Sequence, residues 1–481
     1  MSSTPQTASW SELFSGKNGI RAIALCGGVV VHAINVYIVT TIMPSVVQDL
    51  GGLEYYAWNT TLFIAASILG SALSSSAIGH LGLRSSYLTA ILIFIVGSMG
   101  AAMSPSILLL LVARTIQGLG GGLLLGLSFA SVRMVFEPRF WPRTMALISS
   151  MWGVATLAGP AVGGMFAEGG HWRLAFWSTV PIAIGVAFLV NTQLKPRNKA
   201  QKKQITPTPL FKIVLLTLSV LILSFGSLAT SWPLMALCLV LVVLIVYGIA
   251  RDDLNGKNPL FPAGTYSVRE PLGSLYAGIG LMSIGVTSEV FIPYFLQNIH
   301  HVRPFAAGYM TALMSAGWTT GSILMSGRSR QFANKLLIIS PLVSALSLAV
   351  LGVLLPWQAL TSVHHMTWVL LVPLFGVGLG VGMIWPHLST RVFLSTKPGQ
   401  ENMASAAITT LQMYAMSIGA ALAGIITTSA GFNTGSLEGI QRSASWLLLC
   451  FAGMPLVFVC VSKAARRAGA PNEPTSTKVN D

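Results

Sequence analysis

The chain has 481 residues, of which 53% are hydrophobic and only 9% charged, against roughly 25% charged in an ordinary soluble domain. A soluble globule of that composition could not cover itself with polar surface, and the apolar residues fall in repeated runs of about 20, the length that crosses a hydrocarbon core as a helix. The formal charge of +15 would suit a nucleic-acid partner, but the Lys and Arg residues sit in short loops between apolar runs. That is the orientation signal of membrane helices, and it argues against nucleic acid.

The N-terminal residues 1–19 are polar and lack the basic segment, short apolar core and cleavage site of a signal peptide, so the first span is expected to stay in the mature protein. Spans are predicted near 20–43, 57–79, 86–104, 107–131, 144–166 and 173–193, forming a six-helix N-terminal bundle over 20–193. A basic, Pro-containing linker over 194–208 marks an internal boundary. A pair of spans follows near 209–229 and 232–250, within a central insertion over 209–250. After a polar connection, 251–271, six more are predicted near 272–297, 305–326, 335–356, 367–389, 402–428 and 444–463. These make a C-terminal bundle over 272–463, with a tail over 464–481. The fold class is thus an all-α membrane protein of about 14 helices grouped six, two and six.

An even count puts both termini on one side of the membrane. With Arg173, Arg303 and Arg442 on the opposite side and Arg114 inside a span, 24 of the 28 basic residues fall on the side of the termini. The positive-inside rule makes that side the cytoplasm.

Polar residues inside spans are the candidates for function, because a charge at bilayer depth costs about 2.5 to 3.5 kcal/mol on insertion scales and persists where it faces an internal cavity. In the first span His32 and Asn35 lie three apart on one helical face and could line a cavity; a histidine satisfying a local hydrogen bond explains His32 equally well. In the fourth, Arg114 and Gln117 share a face in the same way. In the ninth, Glu289 stands in GVTSEVFIPYFLQ four residues before Pro293, which has no N–H and leaves the carbonyl of residue 289 without its helical donor. A bend is expected there, with the acid facing a polar interior and able to take up and release a proton. Tyr294, Trp385 and Gln412, with Asn35 and Gln117, are candidate substrate contacts, since aromatic and amide side chains suit apolar ligands bearing a few polar groups. Gly118, Gly122 and Gly126, and Gly376 and Gly380, repeat at the spacing that lets helices approach closely, and helix packing accounts for them. Cys26, Cys238, Cys450 and Cys460 have neither metal-ligand nor disulfide spacing, and no metal site or other cofactor is expected. No G-x-S-x-G, H-E-x-x-H or GxxxxGK[ST] pattern stands in the chain, so neither an enzyme site nor an ATP-driven pump is indicated. An ion gradient is the expected energy source.

Several stretches resemble the fourteen-helix drug:proton antiporters of the major facilitator superfamily, over nearly the whole chain. LVARTIQGLGGG is similar to the family motif whose arginine, here Arg114, is implicated in proton transfer. GVATLAGPAVGG matches the antiporter motif through Gly153, Gly159, Pro160, Gly163 and Gly164, a motif associated with export. HWRLAFWSTVPI retains Trp172, Arg173, Phe176 and Pro181 of the sixth-helix pattern. Two departures stand out. Asn35 occupies the place of the branch's first-helix aspartate, and an amide cannot carry a proton. The loop after the second helix keeps Gly82 and Arg84 but has Gly79 instead of the acid, which puts the family's conformational latch in doubt.

The resemblance implies the major facilitator fold and a proton-coupled exporter of amphipathic small molecules in a lipid bilayer, working by alternating access between two halves. Glu289 is then the leading proton carrier, with Arg114 and His32 as coupling partners. The localisation it implies is a bacterial inner membrane. Two alternatives stay open: a dedicated exporter of a native metabolite such as a siderophore, and a non-transporting receptor or scaffold on a transporter fold.

Overall fold

A backbone inside a bilayer has no water to satisfy its amides, so a chain of apolar runs closes its hydrogen bonds within helices. The computed structural model describes residues 9–195, 209–229, 231–255, 258–325, 328–359, 366–397 and 400–467. Most of the basic linker, from 196 to 208, and the terminal segments 1–8 and 468–481 lie outside the described residues. A short helix, α1 (Trp10–Phe14), precedes the first half: α2 (Gly16–Leu50), α3 (Tyr56–Leu81), α4 (Leu83–Ala102), α5 (Ile107–Val135), α6 (Trp141–Glu168) and α7 (Trp172–Gln193). The central pair is α8 (Leu210–Gly226) and α9 (Trp232–Asn255). The second half comprises α10 (Pro271–Val286), α11 (Ile292–His300), α12 (Pro304–Met325), α13 (Arg330–Leu354), α14 (Leu371–Ser395), α15 (Glu401–Ser429) and α16 (Leu437–Val461).

Twelve helical segments among the described residues are long and apolar enough to cross a membrane, with α10 and α11 counted as one passage. The shorter apolar α8 and the 22-residue α12 occupy the other two predicted positions. The chain is a multi-pass integral membrane protein. Serine caps mark several helix starts: Ser106, Ser329 and Ser436 accept from the backbone N–H three residues on, satisfying donors that have no partner within the helix.

Glycine sets the packing identically in the two halves. On α5, a Cβ at Gly118 or Gly122 would overlap the carbonyls of Phe63 or Ser67 on α3, while one at Gly120 would press on Phe94 of α4. On α14, Gly378 and Gly382 meet the carbonyls of Met314 and Trp318 on α12, and Gly380 meets Ser340 on α13. In each half, then, the fourth helix packs its glycine faces against the second and third.

The ends of the bundle differ. At the end bearing Leu50, α6 and α12 touch across the two halves: Gly164 leaves no room for a side chain beside Phe305, and Gly308 sits against Thr41 and Pro160. Hydrogen bonds cross between the halves from the Phe305 N–H to Glu168 Oε1 (3.2 Å), from the Tyr309 hydroxyl to the Leu157 carbonyl (3.1 Å) and between the Tyr37 and Ser315 hydroxyls (2.8 Å). All lie toward the Leu50 end or the middle of the helices.

The central pair is held to both halves through α8. Trp58 Nε1 donates to Ser227 Oγ at 3.1 Å, and Ser219 Oγ and the Tyr414 hydroxyl are 2.9 Å apart. α9 packs on α8 and exposes Leu237, Val240 and Val243, as a lipid-facing helix does. Its last turn carries a charged cluster that span prediction treats as a solvated end. Lys212 Nζ lies 2.5 Å from Asp253 Oδ1 and 2.7 Å from Asp252 Oδ2. The buried Asp253 carboxylate also accepts from the backbone N–H groups of Leu260 and Phe261 and from the Tyr266 hydroxyl (2.6 Å). Burial and this carboxylate push the Tyr266 hydroxyl far above its usual range, so it stays a donor at all ordinary pH. The cluster pins the connection between α9 and α10. Removing one partner of a buried ion pair costs about 3 kcal/mol, so Asp253→Ala is expected to lower the thermal transition of the detergent-solubilised protein markedly. An unchanged transition would show that the cluster does not hold the connection.

Candidate functional site

Arg114, on α5, is 2% exposed and sits inside a cage of neutral groups. Its Nε donates to Asn59 Oδ1 on α3 at 3.0 Å, its Nη1 to Asn35 Oδ1 on α2 at 2.6 Å, and the same Nη1 to Gln117 Oε1 one turn along α5. The guanidinium carbon lies 4.1 Å from the centroid of the Phe63 ring. Gln117 in turn donates to Ser98 Oγ at 2.7 Å, with Thr179 Oγ1 3.2 Å beyond. Every first-half helix from α2 to α5, with α7, contributes to this network. Among the described residues no carboxylate lies within ion-pairing distance of Arg114. A buried cation without a counter-ion is costly, and amide oxygens and an aromatic face recover part of that cost.

His32 lies one turn before Asn35 on α2, stacked on Phe63 with ring centroids 5.3 Å apart and edge-on to Trp152 at 6.0 Å. The predicted residues His32, Asn35, Arg114 and Gln117 are therefore brought to one place. Asn59, Ser98 and Thr179 complete the network and were not singled out from sequence. The detectable signal is Asn59 itself, an amide in the predominantly aromatic and weakly polar stretch YAWNTTLF.

Glu289 belongs to the second half. A bent helix is expected from Pro293, but the break goes further: α10 ends at Val286, a 3-10 turn covers Thr287–Val290, and α11 restarts at Ile292 with Pro293 in its first turn. Proline suits that position because its missing N–H would find no helical partner there. The Tyr56 hydroxyl of α3 donates to the Val290 carbonyl at 3.2 Å, satisfying opened backbone from the other half. Glu289 is half-buried, and among the described residues no donor or cation rests on its carboxylate. Tyr37 of α2 is near enough to feel its charge.

The remaining candidates scatter. Tyr294 packs with Tyr56, Phe295 and Phe432, 4.8 Å from the last of these between centroids. It also lines a cavity of about 830 Å³ at the Leu50 end, together with Gln48, Glu168, Gln297, Asn298 and Arg303. Trp385 is half-buried against Trp318 at 5.0 Å, and Gln412 is half-buried on α15. Within the antiporter-like motif, Gly159, Gly163 and Gly164 make close contacts with Tyr37, Ile38 and Phe305, and Pro160 with Gly308. Gly153 has open space around it. Gly82 takes a positive φ of 78°, and Arg84 donates to Asn191 of α7 (Nε at 3.1 Å) within the same half. The retained arginine thus finds an amide on α7.

Comparison with known proteins places the chain. The Major Facilitator Superfamily profile matches residues 25–420. A probable multidrug-efflux transporter of Mycobacterium tuberculosis is 32% identical over 457 residues, covering 93% of this chain and 96% of that protein. The Bacillus subtilis multidrug transporter protein MdtP is 26% identical, covering 78% and 69% respectively. Among solved structures, a bacterial homolog of the human lysosomal transporter Spinster, captured inward-facing and unoccupied, superposes with a TM-score of 0.66 at 12% identity, covering 94% of this chain and 97% of that one. At that identity the likeness shows the fold alone.

Proposed function

The chain belongs to the major facilitator superfamily, and from that premise we propose that it is a proton-coupled exporter of amphipathic small molecules, of the multidrug-efflux type. It moves them by alternating access between the halves 20–193 and 272–463, with the central pair 209–250 attached at the side. The observation that carries the coupling is Glu289: a half-buried carboxylate without a partner among the described residues, at a helix break between the halves. An acid so placed can exchange its proton with whichever side the cavity opens to, and no other group must be broken away first.

The Leu50 end faces outward and the termini face the cytoplasm of a bacterial cell, following the placement of Lys and Arg. With the halves tied toward the Leu50 end, the described conformation is the one closed to the outside, and substrate enters from the cytoplasm or the inner leaflet. Rocking of the halves that parts the α6–α12 contact opens the outer end. Arg114 fixes the electrostatics of the first half, and Trp152, Trp318, Trp385 and Gln412 offer aromatic and amide contacts to the substrate. No catalytic step and no cofactor enters this cycle.

Everted membrane vesicles containing the protein should accumulate one or more members of a panel of dyes, drugs and metabolites when an inward-acid gradient is imposed, and stop when it is collapsed. Failure across the whole panel would remove the exporter reading.

A further inference from the structure

The Arg114 cage has more donors than acceptors. A guanidinium offers five N–H groups. Nε–H goes to Asn59, and the two N–H of Nη1 go to Asn35 and Gln117, so the two on Nη2 meet no acceptor among the described residues. Asn35 adds a second unfilled donor. Because Arg114 claims its Oδ1, the Asn35 amide orientation is settled, and its fully buried Nδ2 has no partner among the described residues. Oδ1 and Nδ2 belong to one amide, so this donor lies within a few bond lengths of the guanidinium. A fully buried donor without an acceptor is costly, and Asn35 Nδ2 beside the unpaired Nη2 marks a missing piece: an oxygen acceptor, preferably anionic, next to a cation that has no counter-ion among the described residues.

We propose that the Arg114–Asn35 pair is the recognition site for an anionic oxygen on the substrate, so that the preferred cargo is a weak-acid amphiphile, a carboxylate or phenolate with an aromatic body. Rings adjoin the cage: Phe63 lies beneath Arg114, His32 stacks on Phe63, and half-buried Trp152 stands edge-on to His32. A permanently cationic drug is disfavoured, since it would approach an uncompensated guanidinium. An aspartate at position 35 would fill the vacant acceptor role from within the protein, and asparagine leaves it to the ligand. This deepens the exporter reading and rests on it for the word cargo, but the binding preference is testable without transport.

The probes are 1-pyrenebutyric acid and its methyl ester, which share the apolar body and differ in charge. Their binding is measured by fluorescence on the full-length protein in nanodiscs at neutral pH, with empty nanodiscs subtracted. The acid is expected to bind about tenfold more tightly than the ester. Asn35→Asp should erase that preference and raise the thermal transition, because the new carboxylate pairs with Arg114. Arg114→Gln, measured alongside as a second variant, should also erase it. Equal binding of acid and ester by the unaltered protein, as a water filling the same place would give, overturns the proposal. So does an acid preference that survives Asn35→Asp. Acid-selective binding without any export in vesicles would count against the exporter reading and leave this site standing; export without acid selectivity would do the reverse.

Discussion

Glu289→Gln is expected to exchange substrate across a bilayer yet fail to concentrate it. Glutamine keeps the size and hydrogen-bonding capacity of a protonated glutamic acid but cannot release a proton. The carboxylate has no ion-pair partner among the described residues, so the substitution strands no cation and the fold should tolerate it. Gradient-driven uptake into everted vesicles should fall at least about tenfold, while substrate counterflow without a gradient should stay within about twofold of the parent. The dependence of uptake on external pH should vanish with it. If the Gln variant still concentrated substrate as well as the parent, the proton would have to travel by another group, and Glu289 would be a packing residue.

The second large effect concerns Gly164. A side chain there would run into the backbone of Phe305, across the boundary between the halves. Gly164→Val therefore burdens only the state in which α6 and α12 touch at the Leu50 end. Overpacking of this kind costs about 2 kcal/mol, enough to shift a two-state equilibrium about thirtyfold toward the outward-open form. Each half keeps its own glycine-packed core, so the variant should fold. A reporter cysteine at Ser45, which lines the cavity at the Leu50 end, should react several times faster with an impermeant maleimide in the Gly164→Val background, and transport should be lost. Gly153→Val is the matched control: space around Gly153 is open, and both readouts should stay near the parent's. Equal labelling in the two variants would show that the α6–α12 contact is not the outer gate.

Much of this architecture is legible before any coordinates. Apolar runs of membrane length give the passages, because bilayer thickness leaves a helix few other lengths. The deep charges Arg114 and Glu289 identify themselves by their cost, and the three-residue spacing of Gln117 from Arg114 predicts one of the observed bonds. What stays hidden depends on chain segments meeting from far apart. Asn59 reads as one more polar residue near a helix start until α3 and α5 bring it to Arg114. Lys212 falls inside the span predicted near 209–229 and Asp253 in the polar connection 251–271, and only the return of residues 258–266 over them makes a buried cluster. Pro293 announces a bend, but a full break also draws on Tyr56 from the other half to bond the Val290 carbonyl. Asn35 reads from sequence as a lost acid; the structure adds its unfilled amide donor beside Arg114. Asn35 lies on α2, the first long helix of the first half, and Glu289 in the 3-10 turn that follows α10, the first helix of the second. A reading of single motifs treats these as a defect and a separate oddity.

The central claim, that substrate leaves in exchange for protons through Glu289, is tested most directly in proteoliposomes loaded with substrate and a trapped pH-sensitive dye. Release of substrate down its own gradient, with no pH gradient imposed, should drive protons the opposite way and acidify the lumen in step with efflux, and the Glu289→Gln protein should release substrate with no change in lumenal pH. Substrate efflux through the unaltered protein with a flat dye signal would contradict the account.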